Sequence, residues 1–251
     1  MTGRWRFPCG DYLCDAPLMS FSITEACVYV SEALAAAANP EKAVGMQTYM
    51  KTDMPFYGVQ KRGRTPVLRR LVSEFAPEDR DHYENLVLAL WALPHREEKY
   101  LAQGLAVSYE QYMVPDSLPL FRRMITEGAW WDFVDETATR MVQYLIVNHG
   151  GETWPTVDNW VDDDDMWLRR SAIICQVGAK EHTDPERLLR FCQQRAFEEE
   201  FFIRKAIGWA LREYAKTDAD LVAGFVNDHR EELSGLSFRE ATKHIGHLVD
   251  R

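Results

Sequence analysis

The chain has 251 residues, 46% hydrophobic and 27% charged. That is enough for one large domain and close to the globular average, which excludes disordered and collagen-like classes. Twenty-nine Lys and Arg against 39 Asp and Glu give a net charge of −10, an average that argues against a nucleic-acid partner and leaves the decision to how the charge is distributed.

Residues 1–18 read as an irregular tail without the apolar segment of a secretory signal, and residues 19–251 as a single domain. No apolar run approaches the roughly 18 residues of a membrane span. Five cysteines (Cys9, Cys14, Cys27, Cys175, Cys192) without a CxxC pair point to a reducing cytoplasm rather than a disulfide or zinc framework. From Ser22 the pattern is helical almost without a break. It predicts helices over residues 23–38, 41–51, 66–75, 79–92, 97–113, 118–127, 131–148, 154–161, 165–177, 185–195, 200–216, 219–229 and 237–249. Several starts carry helix-opening chemistry: Asn39-Pro40-Glu41, Thr65-Pro66, Asp184-Pro185-Glu186, and Ser237 with Glu240 as a capping box. No stretch alternates long enough for a strand. Thirteen helices in pairs of roughly 40 residues predict an all-α fold, a HEAT-like helical-repeat superhelix (α-solenoid) with a concave groove; an irregular helical bundle is the alternative.

Charge and aromatics are unevenly placed. Residues 49–70 hold Lys51, Lys61, Arg62, Arg64, Arg69 and Arg70 against the single Asp53. This is either a solvated helix face or a phosphate-contacting patch to which Tyr49 and Gln60 add hydrogen bonds. In the 200–216 helix, Ile203, Ile207, Ala210 and Tyr214 share a core stripe. Trp209 falls off that stripe, beside Lys205 and Arg212, so it is either packed on a neighbouring repeat or exposed for stacking. In the 131–148 helix the stripe is Val134, Ala138, Met141 and Leu145, with Trp131 and Asp135 side by side at its edge. Arg170 has Met166, Trp167, Ile173 and Ile174 as helical neighbours. A guanidinium on an apolar face needs an anion, which a structural ion pair, a phosphate or the Asp135 carboxylate could supply. The run Asp162–Asp165 reads as a helix N-terminus. Glu240, His244 and His247 share a face at metal-like spacing, but nothing supplies a further ligand or a supporting shell, so no metal is expected.

The strings TYMKTDMPFYGVQ, WWDFVDETA, MWLRRSAI, EFFIRKAIGWALREYAKT and LSFREATKHI strongly resemble the AlkC/AlkD-type DNA alkylation repair proteins, HEAT-like-repeat glycosylases that excise alkylated purines. The resemblance runs from Asn39 to Ile245, most of the chain. It implies a catalytic set of Trp131, Asp135, Arg170 and Trp209 lining the concave cleft, and DNA contacts from Tyr49, Lys51 and Gln60. The patch cations Lys61, Arg62 and Arg64, and Lys205 and Arg212 beside Trp209, complete the expected DNA-binding set. The string KRGRTP (residues 61–66) departs from the family pattern, in which a Thr-Pro-Glu-Arg-like string directly follows the Gly-x-Gln. The implied activity is hydrolysis of the N-glycosidic bond of cationic alkylated purines such as N7-methylguanine and N3-methyladenine in duplex DNA. It needs no metal or nucleotide cofactor, and a monomer is the expected state. A non-catalytic binder of damaged or branched DNA on the same scaffold is the alternative.

Overall fold

The computed structural model describes residues 21–249; the expected tail at 1–18 lies outside them. Side-chain caps open many of the helices. Ser22 forms a capping box with Glu25 ahead of α1 (Ile23–Ala36), and Asn39 caps α2 (Pro40–Met50). Asp79 caps α4 (Arg80–Ala92), Asp165 caps α10 (Met166–Ile174), Asp184 caps α11 (Pro185–Gln194) and Asp218 caps α13 (Ala219–Asp228). Each cap satisfies a backbone N–H that a helix start leaves without a partner. The remaining helices are α3 (Lys61–Glu74), α5 (Arg96–Ser108), α6 (Leu118–Gly128), α7 (Trp131–Glu136), α8 (Gln143–Asn148), α9 (Gly150–Trp160), α12 (Phe201–Tyr214) and α14 (Gly235–Ala241). The described residues contain no strand, and no helix is long and apolar enough to cross a membrane.

Packing joins helices close in chain order. Helix α1 packs on α3, α4 and α5; α10 packs on α6, α7, α9, α11 and α12; and α12 packs on α13 and α14. That locality is the signature of stacked helical units, each burying the face its neighbour exposes. The predicted stripes are in the core, with Val134, Ala138, Met141, Leu145, Ile203 and Ile207 fully buried and Ala210 nearly so.

Three expectations need correction. Helix α3 starts at Lys61, five residues before the proline taken as its start, and Pro66 lies inside it. Proline forfeits only its own bond to the carbonyl four residues back, here that of the exposed Arg62, while Gly63 and Arg64 N–H both reach the Gln60 carbonyl and set the helix going earlier. The last helix is capped by Ser234, not Ser237. Ser237 is buried and donates to the Arg204 carbonyl at 3.0 Å, and Glu240 is engaged elsewhere. The helix predicted over 131–148 is continuous but has a π-helical segment at Thr137–Val142 between α7 and α8. Its cause is visible. The Phe133 carbonyl accepts from the Gln103 amide at 2.7 Å and the Thr137 hydroxyl at 2.9 Å, and the Asp135 carbonyl accepts from the Thr139 hydroxyl at 2.7 Å. Side chains that occupy ladder carbonyls in this way loosen the ordinary i→i−4 pattern.

Candidate active site

Helix α6 ends on Ala129 in the left-handed region (φ 40°), Trp130 is extended, and α7 begins at Trp131. One turn on, Asp135 meets Arg170 of α10. The guanidinium donates from Nε to Oδ1 and from Nη2 to Oδ2, both at 2.8 Å, and from Nη1 to the Phe202 carbonyl of α12 at 2.6 Å. One arginine thus ties three helices and fixes the carboxylate in a planar fork. Arg170 is almost wholly buried, while the Asp135 side chain keeps 18% of its surface open. Each carboxylate oxygen has two acceptor sites, so the fork leaves capacity for a water or a developing cation. Burial pushes the Asp135 carboxyl above its ordinary value, Arg170 opposes that by hydrogen bonding and charge, and Asp132 adds to the rise.

Trp131 of α7 and Trp209 of α12 are partly buried against the core, and among the described residues neither makes a ring contact or a hydrogen bond. Trp209 lies seven residues after Phe202, the residue held by Arg170. Two helical turns place it about 10 Å further along nearly the same face of α12. The aromatic packing that supports this region comes from residues the sequence analysis did not single out: Trp130 against Trp167 and Phe202, and Trp167 against Phe202, with centroids 6.1, 5.5 and 4.9 Å apart.

The structure therefore brings Asp135 and Arg170 into direct contact, and Trp131 lies one helical turn before Asp135 on α7. Trp209 belongs to a helix that the same arginine tethers. A second buried network joins α5 to α7. The Arg96 guanidinium binds Asp132 through Nη2 (2.6 Å) and Nε (3.0 Å), and the Tyr100 hydroxyl donates to the same carboxylate at 2.5 Å. Glu97, fully buried, accepts the backbone N–H of Tyr57, Gly58 and Val59 at 2.9–3.0 Å. Those bonds fix the segment that leads into α3 and so place Lys61, Arg62 and Arg64. Gly58 has φ +82°, and a Cβ there would sit 2.0 Å from the Asn39 carbonyl oxygen, so only glycine fits. Arg64 donates to the Val59 carbonyl at 2.8 Å and lies over the Tyr100 ring at 4.4 Å. Lys51 takes the left-handed position that ends α2, Tyr49 is exposed, and Gln60 precedes the first turn of α3.

Sequence reasoning missed Arg96, Tyr100 and Asp132. A weak signal existed, since Arg96 and Tyr100 are i,i+4 neighbours and Asp132 follows the paired tryptophans, but their meeting is a tertiary event. It also did not foresee that Lys205 and Arg212 share one partner. Lys205 Nζ binds Glu240 Oε1 at 2.8 Å, and Arg212 binds Oε2 of the same carboxylate. Both Glu240 oxygens are thereby committed to cations, and no group of three or more metal-ligating side chains occurs among the described residues.

Solved structures resemble this chain. A predicted DNA alkylation repair enzyme from Enterococcus faecalis is 30% identical, with a TM-score of 0.76 over 83% of this chain and 96% of its own. AlkD2 from Streptococcus mutans is 15% identical, with a TM-score of 0.61 over 83% of this chain and 100% of its own. The protein smu.31 from Streptococcus mutans UA159 is 16% identical, with a TM-score of 0.58 over 73% of this chain and 91% of its own. No curated protein matches the sequence. The sequence model described as DNA alkylation repair enzyme matches residues 30–245, and the chain belongs to that family.

Proposed function

We propose that this DNA alkylation repair protein is a monofunctional glycosylase that hydrolyses the N-glycosidic bond of cationic alkylated purines, N7-methylguanine and N3-methyladenine, in duplex DNA. The observation that carries the reading is the Asp135–Arg170 fork. It supplies a carboxylate of fixed orientation, partly open to solvent, one helical turn from an indole with neither a ring contact nor a hydrogen bond among the described residues.

Alkylation at N3 or N7 makes the purine a cation and so a good leaving group. Cleavage sends the C1′–N electron pair to the base, which departs neutral, and the positive character passes to the deoxyribose. A carboxylate aimed at that site stabilises the developing charge, orients the attacking water, and receives its proton as the new C1′–O bond forms. Trp131 and Trp209 present π faces that favour a cation by about 0.5–2 kcal/mol each. Arg170 acts as a positioning residue, holding the carboxylate in place and opposing the rise that burial causes in its pKa. Tyr49, Lys51, Gln60, Lys61, Arg62 and Arg64 supply the phosphate track, and the protein works as a monomer. Lys205 and Arg212 join the track only by loosening from Glu240.

Incubating methylated duplex DNA with the protein and separating the released bases by chromatography tests this. Free 7-methylguanine or 3-methyladenine is expected above the spontaneous rate. Tight binding to damaged or branched DNA with no base release would leave only the non-catalytic reading.

A further inference from the structure

Helices α2, α3 and α5 enclose an open cavity of about 530 Å³, within the range of small-molecule sites. Met50, Phe56 and Tyr100 give it an apolar floor, and Lys42, Lys61 and Arg64 line it with positive charge. No carboxylate of the described residues contributes to the lining. Among the described residues none of the three cations forms an ion pair, although Arg70, Arg96, Arg169, Arg170 and Arg187 all do. Arg64 gives one donor to Val59 and makes no other hydrogen bond. Lys61 and Arg62 occupy the first turn of α3, which has neither an acidic residue nor a side-chain cap. Cations at the positive end of a helix are unfavourable until an anion joins them.

A smaller cavity of about 210 Å³ shares Lys61, Arg64 and Tyr100 but adds Asp132 and Glu136 of α7. The stacked Arg64 and Tyr100 therefore separate two chemically different spaces. The smaller one, where two carboxylates face the same Lys61 and Arg64, borders the helix that carries Asp135. The other, apolar below and cationic at its edge, suits an uncharged base with its phosphate. Tyr49, 73% exposed at its margin, has no packing role that would keep its ring from stacking.

We propose that the larger cavity seats one unpaired, undamaged nucleotide of the bound DNA, with the base on the Met50–Phe56–Tyr100 floor and a phosphate on Lys61 and Arg64. The proposal rests on the reading of the protein as acting on DNA, and it names a second nucleotide subsite there.

The test uses three duplexes of equal length: fully paired, with a single unpaired 2-aminopurine nucleotide, and with a single unpaired abasic nucleotide. Binding is followed by anisotropy and by 2-aminopurine emission. Stacking on an aromatic floor predicts that the base-bearing bulge binds about tenfold tighter than the paired duplex, with altered emission, while the abasic bulge gains little. Gly45 lines the cavity, and a Cβ built there meets nothing within 4 Å. Gly45→Leu is therefore expected to fold and to remove the preference by filling the space. Equal affinity for base-bearing and abasic bulges, or a preference that survives Gly45→Leu in a folded protein, overturns the proposal. Release of 7-methylguanine is measured on the same preparations. Release without the bulge preference sinks the nucleotide seat alone, and the preference without release sinks the glycosylase reading alone.

Discussion

Replacing Asp135 with asparagine keeps the size of the side chain and removes its charge. At an effective dielectric near 20, a carboxylate about 4 Å from a sugar cation contributes about 4 kcal/mol. The charge of Arg170 acts on that cation in both proteins and cancels in the comparison. At about 1.4 kcal/mol per decade, the loss corresponds to roughly a thousandfold fall in the single-turnover rate. The substitution also leaves Arg170, 5% exposed, with a neutral amide in place of an anion. One acceptor oxygen survives, but the buried guanidinium loses its counter-charge, and breaking a buried ion pair in this way costs about 3–5 kcal/mol. For a chain of this length that lowers Tm by about 6–20 °C. The assay is release of 7-methylguanine from a defined duplex at 25 °C, with protein in excess over DNA. Circular dichroism confirms folding, and anisotropy confirms that affinity for undamaged DNA stays within a few-fold. An Asp135→Asn protein that is folded, binds DNA and retains activity within about threefold of the original would refute the electrostatic argument.

The remaining expectations use the same preparations. Because burial raises the Asp135 carboxyl and Arg170 holds it down, activity is expected to fall with decreasing pH at a midpoint above the ordinary aspartate value. Arg170→Gln should move that limb to still higher pH in a pH–rate profile, whereas an unmoved limb would assign it to another group. The same raised carboxyl favours the folded state below its unfolded pKa, and that contribution fades as pH rises through the folded value. Trp209→Ala should lose the indole's share of cation binding, about 0.5–2 kcal/mol or roughly 2- to 30-fold in kcat/KM, with undamaged-DNA affinity unchanged. Glu240→Gln releases Lys205 and Arg212 from their shared partner; DNA binding should tighten and its salt dependence steepen by about one or two units, and an unchanged slope would place both cations outside the track. Gly58→Ala forces a Cβ against the Asn39 backbone at φ +82° and should cost more than about 1 kcal/mol in denaturant melts, with weaker DNA binding as α3 loses its anchor.

How much was legible in advance differs from one element to the next. The caps at Asn39, Asp165 and Asp184 and the apolar stripes of α7 and α12 are local features, and the helices they predict are present. Arg170 was recognisable as a buried cation in need of an anion because its helical neighbours are apolar. Which anion it takes was open, since Asp135 lies 35 residues away. The π segment between α7 and α8 was not legible, because one of its causes is Gln103 arriving from α5. The early start of α3 was hidden by a proline that reads as a helix opening.

The sequence by itself determined the helices and the family, because turns, caps and stripes act over a few residues and motif strings persist within short windows. Only the tertiary structure decided which charges remain available. Lys61 and Arg64 form no ion pair among the described residues, Lys205 and Arg212 are drawn onto Glu240, and Asp135 is locked by Arg170. Ion pairing depends on distances of a few ångströms between helices remote in the chain, and the one-dimensional order of residues does not contain those distances.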